Sequence, residues 1–303
     1  MADPIRIFDR SLLRKRRDRA APEFTAHDFL IRDVAERLAD RLNDVTRRFP
    51  MALDLGCHTG ELADTLHGRG GIETLVQCDL SPRMAAKAAT NGQPTLAADE
   101  EWLPFSDASF DLVISCLSLH WVNDLPGTLL QIRRVLKPDG LFLCAMLGGE
   151  TLKELRQALA EAEMAEENGW SPRVSPFADV RDLGALLQRA GFALPVVDAD
   201  MINVAYGDPM RLLADLRGMG ETNAVAEQRK TLTRRATMLH ALSRYQDLFA
   251  GPEGRVAATF QVLTMTAWTP HPDQPRPLAP GSAKASLADV LGNGHGKIAH
   301  NWE

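Results

Sequence analysis

The 303-residue sequence contains no long apolar run: the longest, Leu141 to Leu147, is far below the roughly 20 residues a membrane-spanning helix needs. No transmembrane segment is expected. Cysteine is scarce, with four residues (Cys57, Cys78, Cys116, Cys144), each alone inside or at the end of an apolar stretch and none in a C-x-x-C pair. That spacing excludes a disulfide framework and a cysteine metal site, and suits buried free thiols in a reducing compartment. An excess of positive charge is also missing. Lys and Arg total 34 against 40 Asp and Glu, a net charge of −6, which argues against a nucleic-acid binder relying on a basic face. No apolar stretch follows Met1, and the Arg-rich start is too short and too acidic for a convincing transit peptide, so the expectation is a cytoplasmic protein, the alternative being a processed organellar form. No internal repeat is visible.

What is present is an ordinary globular composition, 45% hydrophobic and 24% charged. Residues 1–49 read as a basic segment and helical cover. Arg10 to Arg19 is rich in Arg and Lys, a solvated face or a dock for an acidic protein. Thr25-x-x-Asp28 then resembles a helix start, followed by Leu30, Val34, Leu38 and Leu42 at helical spacing. From Met51 short apolar runs (Met51–Leu55, Thr74–Cys78, Thr95–Ala98, Leu112–Cys116, Leu141–Met146) alternate with helix-like stretches, the pattern of a parallel sheet. Thr151-x-x-Glu154 reads as a capping box. Helices are expected over Val180–Ala190, from Pro209 and over Thr231–Phe249, and strands over Val196–Val204 and Thr259–Trp268. The domain therefore spans 50–268, with a helical insertion at about 205–255, and a Pro- and Gly-rich tail over 269–303 is expected to be poorly ordered.

In such sheets ligands bind at the carboxyl ends of the strands. Asp54-Leu55-Gly56-Cys57-His58-Thr59-Gly60 leaves the first strand and opens a helix, so its glycines bring backbone amides close to a ligand. The second strand ends at Asp79-Leu80, where an acid grips ribose hydroxyls or, alternatively, caps the next helix. The third leads to Asp99-Glu100, placed to accept from an adenine amino group, and the fourth ends at Ser115. The expected nucleoside-site residues are thus Asp54, Gly56, Cys57, Gly60, Asp79, Leu80, Asp99, Glu100 and Ser115. Asp54 either touches the ligand or shapes the glycine loop.

Asp54 to Gly60, Asp79, Asp99 to Phe105 and Phe110 to Ser115 resemble the successive motifs of class I S-adenosylmethionine-dependent methyltransferases, type 11 branch. The resemblance implies an α/β, Rossmann-like fold, a seven-stranded, mostly parallel sheet with an antiparallel last strand, and S-adenosylmethionine as cofactor. A residue that is usually glycine in the first motif is His58 here. Phe8-Asp9-Arg10, Ser118 to Pro126, Ser175-Pro176-Phe177 and Gly218 to Asn223 are similar to the methyltransferase-like assembly factor and arginine hydroxylase family of respiratory complex I. More distantly, the chain resembles the biotin-synthesis methyltransferase acting on a malonyl thioester.

These likenesses imply a protein partner, a complex I subunit, and an enzyme that transfers a methyl group or hydroxylates arginine. An acyl-carrier or small-molecule methyltransferase and a non-catalytic assembly chaperone are the other classes. His120 is the candidate catalytic residue, as base or substrate-orienting group, against the alternative of a packed histidine. Trp121, Glu221 and Asn223 are expected on the substrate side. No metal site is expected, because the H-x-D triplet His271-Pro272-Asp273 lies in the Pro-rich tail.

Overall fold

The computed structural model describes residues 6–275, so the expected disordered tail falls, beyond Pro275, outside the described residues. The chain divides into a unit Met1–Pro270 and a short one from His271 onward. The first unit is built on a single sheet of seven strands in the order β3-β2-β1-β4-β5-β7-β6. β1 (Met51–Leu55), β2 (Thr74–Asp79), β3 (Thr95–Ala97), β4 (Phe110–Cys116) and β5 (Leu136–Leu147) run parallel, whereas β7 (Val256–Trp268) is antiparallel to both β5 and β6 (Ala193–Tyr206). The sequence expectation of a mostly parallel α/β sheet with an antiparallel last strand holds.

The sheet carries a hydrophobic core on each face because its strands alternate with period two. On β5, Leu141, Leu143, Ala145 and Leu147 join one core, while Phe142, Cys144 and Met146 join the other. The first core is closed by α2 (Phe29–Asn43), which buries Leu30, Val34, Leu38 and Leu42, together with α6 (Lys153–Glu167), α8 (Pro209–Gly218) and α9 (Arg235–Phe249). The second is closed by α5 (Leu125–Val135) and α7 (Val180–Arg189). Each fully buried Leu, Ile or Phe contributes about 1.5–3 kcal/mol. All four cysteines are free and buried, as their apolar settings predict.

Two expected caps are not formed. The Thr151 hydroxyl donates to Gln261 O (3.2 Å), and Glu154 accepts from Thr259 N (3.2 Å), so both side chains serve β7 rather than the start of α6. At α2, Asp28 accepts from Arg32 Nε (2.6 Å) and caps no amide. The helix expected from Thr231 begins at Arg235 instead. By contrast, Asp208 caps α8 through Met210 N (2.8 Å), with Pro209 at the first helical position.

Candidate cofactor and substrate site

The first loop is shaped by backbone conformations that favour glycine. Gly56 (φ +78°) and Cys57 each donate an amide to Cys78 O, at 2.8 and 2.9 Å, and Gly60 (φ +102°) precedes α3 (Glu61–Leu66). His58 also has a positive φ of 48°, which explains why glycine suits that position. Its ring stacks on Phe24 (centroids 5.6 Å apart, 12° between planes) and its Nε2 donates to Cys116 O at 3.1 Å. Asp54 is fully buried beside Gln77, the side chain nearest to serving it as a donor, and neither carboxylate oxygen has a partner in good hydrogen-bond geometry among the described residues. Burial, aided by the charges of Glu61 and Asp79, pushes its carboxyl well above the usual range. Burial likewise raises the Cys57 thiol.

The acids expected at the next strand ends do come together, around two arginines. The first helix, α1 (Arg10–Ala20), turns Arg10, Leu13, Arg17 and Ala20 inward. Arg17, 1% exposed, places Nη1 3.3 Å from Asp79 Oδ2 and 3.2 Å from Glu100 Oε1, while its Nη2 donates to Ser118 Oγ at 3.0 Å. Arg10 donates to Asp99 Oδ1 (2.5 Å), to Glu100 Oε2 and to Trp121 O (3.3 Å). Asp79 is further committed, Oδ1 accepting from Ser81 N (2.7 Å) and Oδ2 from His58 N (3.2 Å). Burial alone would raise the Glu100 carboxyl, but the two guanidiniums outweigh it and hold it down at about 2. Arg17 is shifted upward because Asp79 and Glu100 outweigh the burial that opposes its charge.

Arg10, Arg17 and Ser118 were not expected in this site. The available signal was periodic: Arg10 and Arg17 are two helical turns apart with Leu13 between them, so one face carries both charge and apolar surface. Two expected residues are occupied elsewhere. The Ser115 hydroxyl donates to Leu55 O (2.7 Å) inside the sheet, and Asn223 donates to Pro172 O (2.7 Å) while accepting from Val225 N (3.0 Å). Leu80 packs beside Trp121 in a small cluster with Phe8 and Leu13.

His120 and Trp121, expected to face a substrate, lie in a single turn after β4. Both donate to one carboxylate oxygen, Glu221 Oε2, from His120 Nε2 (3.0 Å) and Trp121 Nε1 (2.9 Å). Because Glu221 Oε2 is a carboxylate oxygen, Nε2 is the donor in that contact, and Nδ1 is buried with no hydrogen-bond partner among the described residues. Burial opposes ionisation of Glu221, but His120 and Arg17 outweigh it and hold the carboxyl below its ordinary value. Phe177 lies 5.8 Å from the His120 ring and also lines an open pocket of about 690 Å³ with Arg6, Arg156, Trp170 and Glu227. Among the described residues no group of three or more His, Cys, Asp and Glu side chains is arranged to hold a metal ion.

The methyltransferase domain family matches residues 53–144, the segment from β1 through the body of β5. A relative from Danio rerio, "Arginine-hydroxylase NDUFAF5, mitochondrial", is 46% identical over 94% of this chain and 89% of its own. This chain belongs to that family. A "Malonyl-[acyl-carrier protein] O-methyltransferase" from Methylovorus sp. (strain MP688) is 34% identical, covering 88% of this chain and 90% of the relative. Among solved structures, the YcgJ protein from Bacillus subtilis superposes with a TM-score of 0.54 at 15% identity, over 77% of this chain and 98% of that one.

The NDUFAF5 family carries the class I, S-adenosylmethionine-dependent methyltransferase fold, as the motifs at the strand ends implied. The expectation of a cytoplasmic protein is corrected by the mitochondrial designation of the Danio rerio relative. No helix among the described residues is long and apolar enough to cross a membrane. The residues present suit the family's cofactor in kind. Asp54 offers buried oxygens left without a well-formed hydrogen bond among the described residues, and Asp79, Asp99 and Glu100 offer carboxylates at successive strand ends.

Proposed function

We propose that this protein binds S-adenosylmethionine across the carboxyl ends of β1 to β4 and modifies an arginine side chain of a protein substrate during respiratory complex I assembly. Asp79 holds the ribose hydroxyls, Asp99 and Glu100 face the adenine, and the loop from Gly56 to Gly60 with Asp54 receives the amino-acid end. When bound, the cofactor supplies a methyl group activated by its sulfonium. His120, held by Glu221, presents Nδ1 as a base for a substrate proton, and Trp121 walls the mouth.

One observation carries this reading over the other classes. The arginine-hydroxylase relative is 46% identical over 94% of the chain, against 34% over 88% for the malonyl-carrier relative, and its likeness takes in both His120 and the Glu221 segment that the structure brings together. The malonyl-carrier reading is supported by the Methylovorus relative at lower identity.

The test is mass spectrometry of complex I subunits from a deletion strain complemented with the wild-type protein or with Asp79→Ala. The expected result is an arginine that loses its modification on deletion and regains it only with the wild type: a methyl mass assigns transfer from the cofactor, and an oxygen mass assigns hydroxylation, which draws its oxidant and reductant from outside this chain. Unchanged subunits would overturn the proposal and favour an acyl-carrier substrate.

A further inference from the structure

The acceptors that the proposed cofactor needs are held by backbone amides and side chains of the chain itself. Asp79 uses Oδ1 for Ser81 N and Oδ2 for both His58 N and Arg17 Nη1. Asp99 and Glu100 are shared by Arg10, and Glu100 also takes Arg17 and Ser118. A carboxylate has about four lone-pair positions, and a buried guanidinium that loses its acid partner is strongly penalised. A nucleoside and the inner face of α1 therefore draw on the same oxygens.

We infer that α1 is a displaceable plug: Arg17 and Arg10 must release Asp79, Asp99 and Glu100 before a nucleoside can bind, and binding drives the helix outward. The inference rests on the proposed nucleoside site, but not on which group the enzyme transfers.

The same segment is tied to the substrate side. Arg16 Nη1 donates to Thr222 O (2.8 Å), Asp9 N to Ala224 O (2.8 Å), and Phe8 sits edge-on to Trp121 (centroids 5.2 Å apart, 73° between planes). Outward movement of α1 thus also loosens the stretch carrying Glu221, the partner of His120. Nucleoside occupancy and access to the substrate mouth become linked through one helix.

The test uses the full chain, with S-adenosylhomocysteine and adenosine as probes in calorimetry and with hydrogen exchange of α1 as a second readout. Arg17→Gln and Arg10→Gln are expected to bind both probes more tightly, on the order of threefold to tenfold. In the wild type, saturating S-adenosylhomocysteine is expected to speed exchange at α1 amides and trypsin cleavage at the exposed Arg14, Lys15 and Arg19. The exchange experiment needs no variant, so a misfolded variant cannot mask the outcome. Slower exchange at α1 on binding would overturn the plug. So would an Arg17→Gln protein that loses affinity for S-adenosylhomocysteine but not for adenosine, because Arg17 would then be a ligand of the amino-acid end. If neither wild type nor variants bind either probe, the nucleoside site falls and the plug with it. Loss of the arginine modification alone would leave the plug standing.

Discussion

Arg17 and Glu221 show how single residues join the two halves of the site. A buried arginine is stable only where carboxylates face it, and Arg17 meets Asp79 and Glu100. Glu221 accepts from both His120 and Trp121, so Glu221→Gln is expected to cost about 1–3 kcal/mol. The sign with pH follows from its depressed carboxyl. Its contribution is fully present above the ordinary value of 4.5 and is lost as pH falls through the lower folded value. Urea unfolding at about pH 7 and about pH 4 should therefore show the gap between wild type and variant narrowing in acid. A gap that widens would contradict the assignment. At this scale Asp79, Asp99 and Glu100 were legible because strand ends in a parallel sheet converge. The arginines were not, because a basic cluster read along the chain looks like a solvated face until its helical periodicity is drawn. Ser115 and Asn223 have side chains bonded to backbone groups, as short polar side chains at strand ends and in turns readily are.

The glycine loop is the element whose geometry the sequence stated most directly. Gly56 has a positive φ, and a Cβ there would lie 2.2 Å from Ser118 Cβ and Oγ. Ser118 must stay in place to hold Arg17 and Glu100. Gly56→Ala is thus expected to destabilise by about 2–4 kcal/mol in urea unfolding. Gly92→Ala is the control, since Gly92 also has a positive φ but no atom lies within 4 Å of its added Cβ, and about 1 kcal/mol is expected. Equal losses would refute a role for crowding against Ser118. The strands were legible because a strand buried on both faces reads as a short continuous apolar run, set between helix-like stretches. The caps of α2 and α6 were less so. Thr151 and Glu154 have the spacing of a capping box, but β7 offers them Gln261 and Thr259, and tertiary partners took precedence over the local pattern.

Across the whole molecule, the sheet sets four strand ends side by side, and α1 lies against them while also touching the segment from Thr222 to Val225. The methyltransferase half could be read from motifs because each motif sits at one strand end. The joining of that half to the substrate side could not, since it depends on contacts between residues about two hundred positions apart, such as Arg16 and Thr222. The account centres on the acid set as the nucleoside site, and one measurement tests that most directly: calorimetric titration of S-adenosylhomocysteine into the full chain and into Asp79→Asn. Loss of charge-assisted hydrogen bonds to the ribose should weaken binding about 10-fold to 100-fold in the variant. An Asp79→Asn protein that melts like the wild type and binds with unchanged affinity would contradict the account.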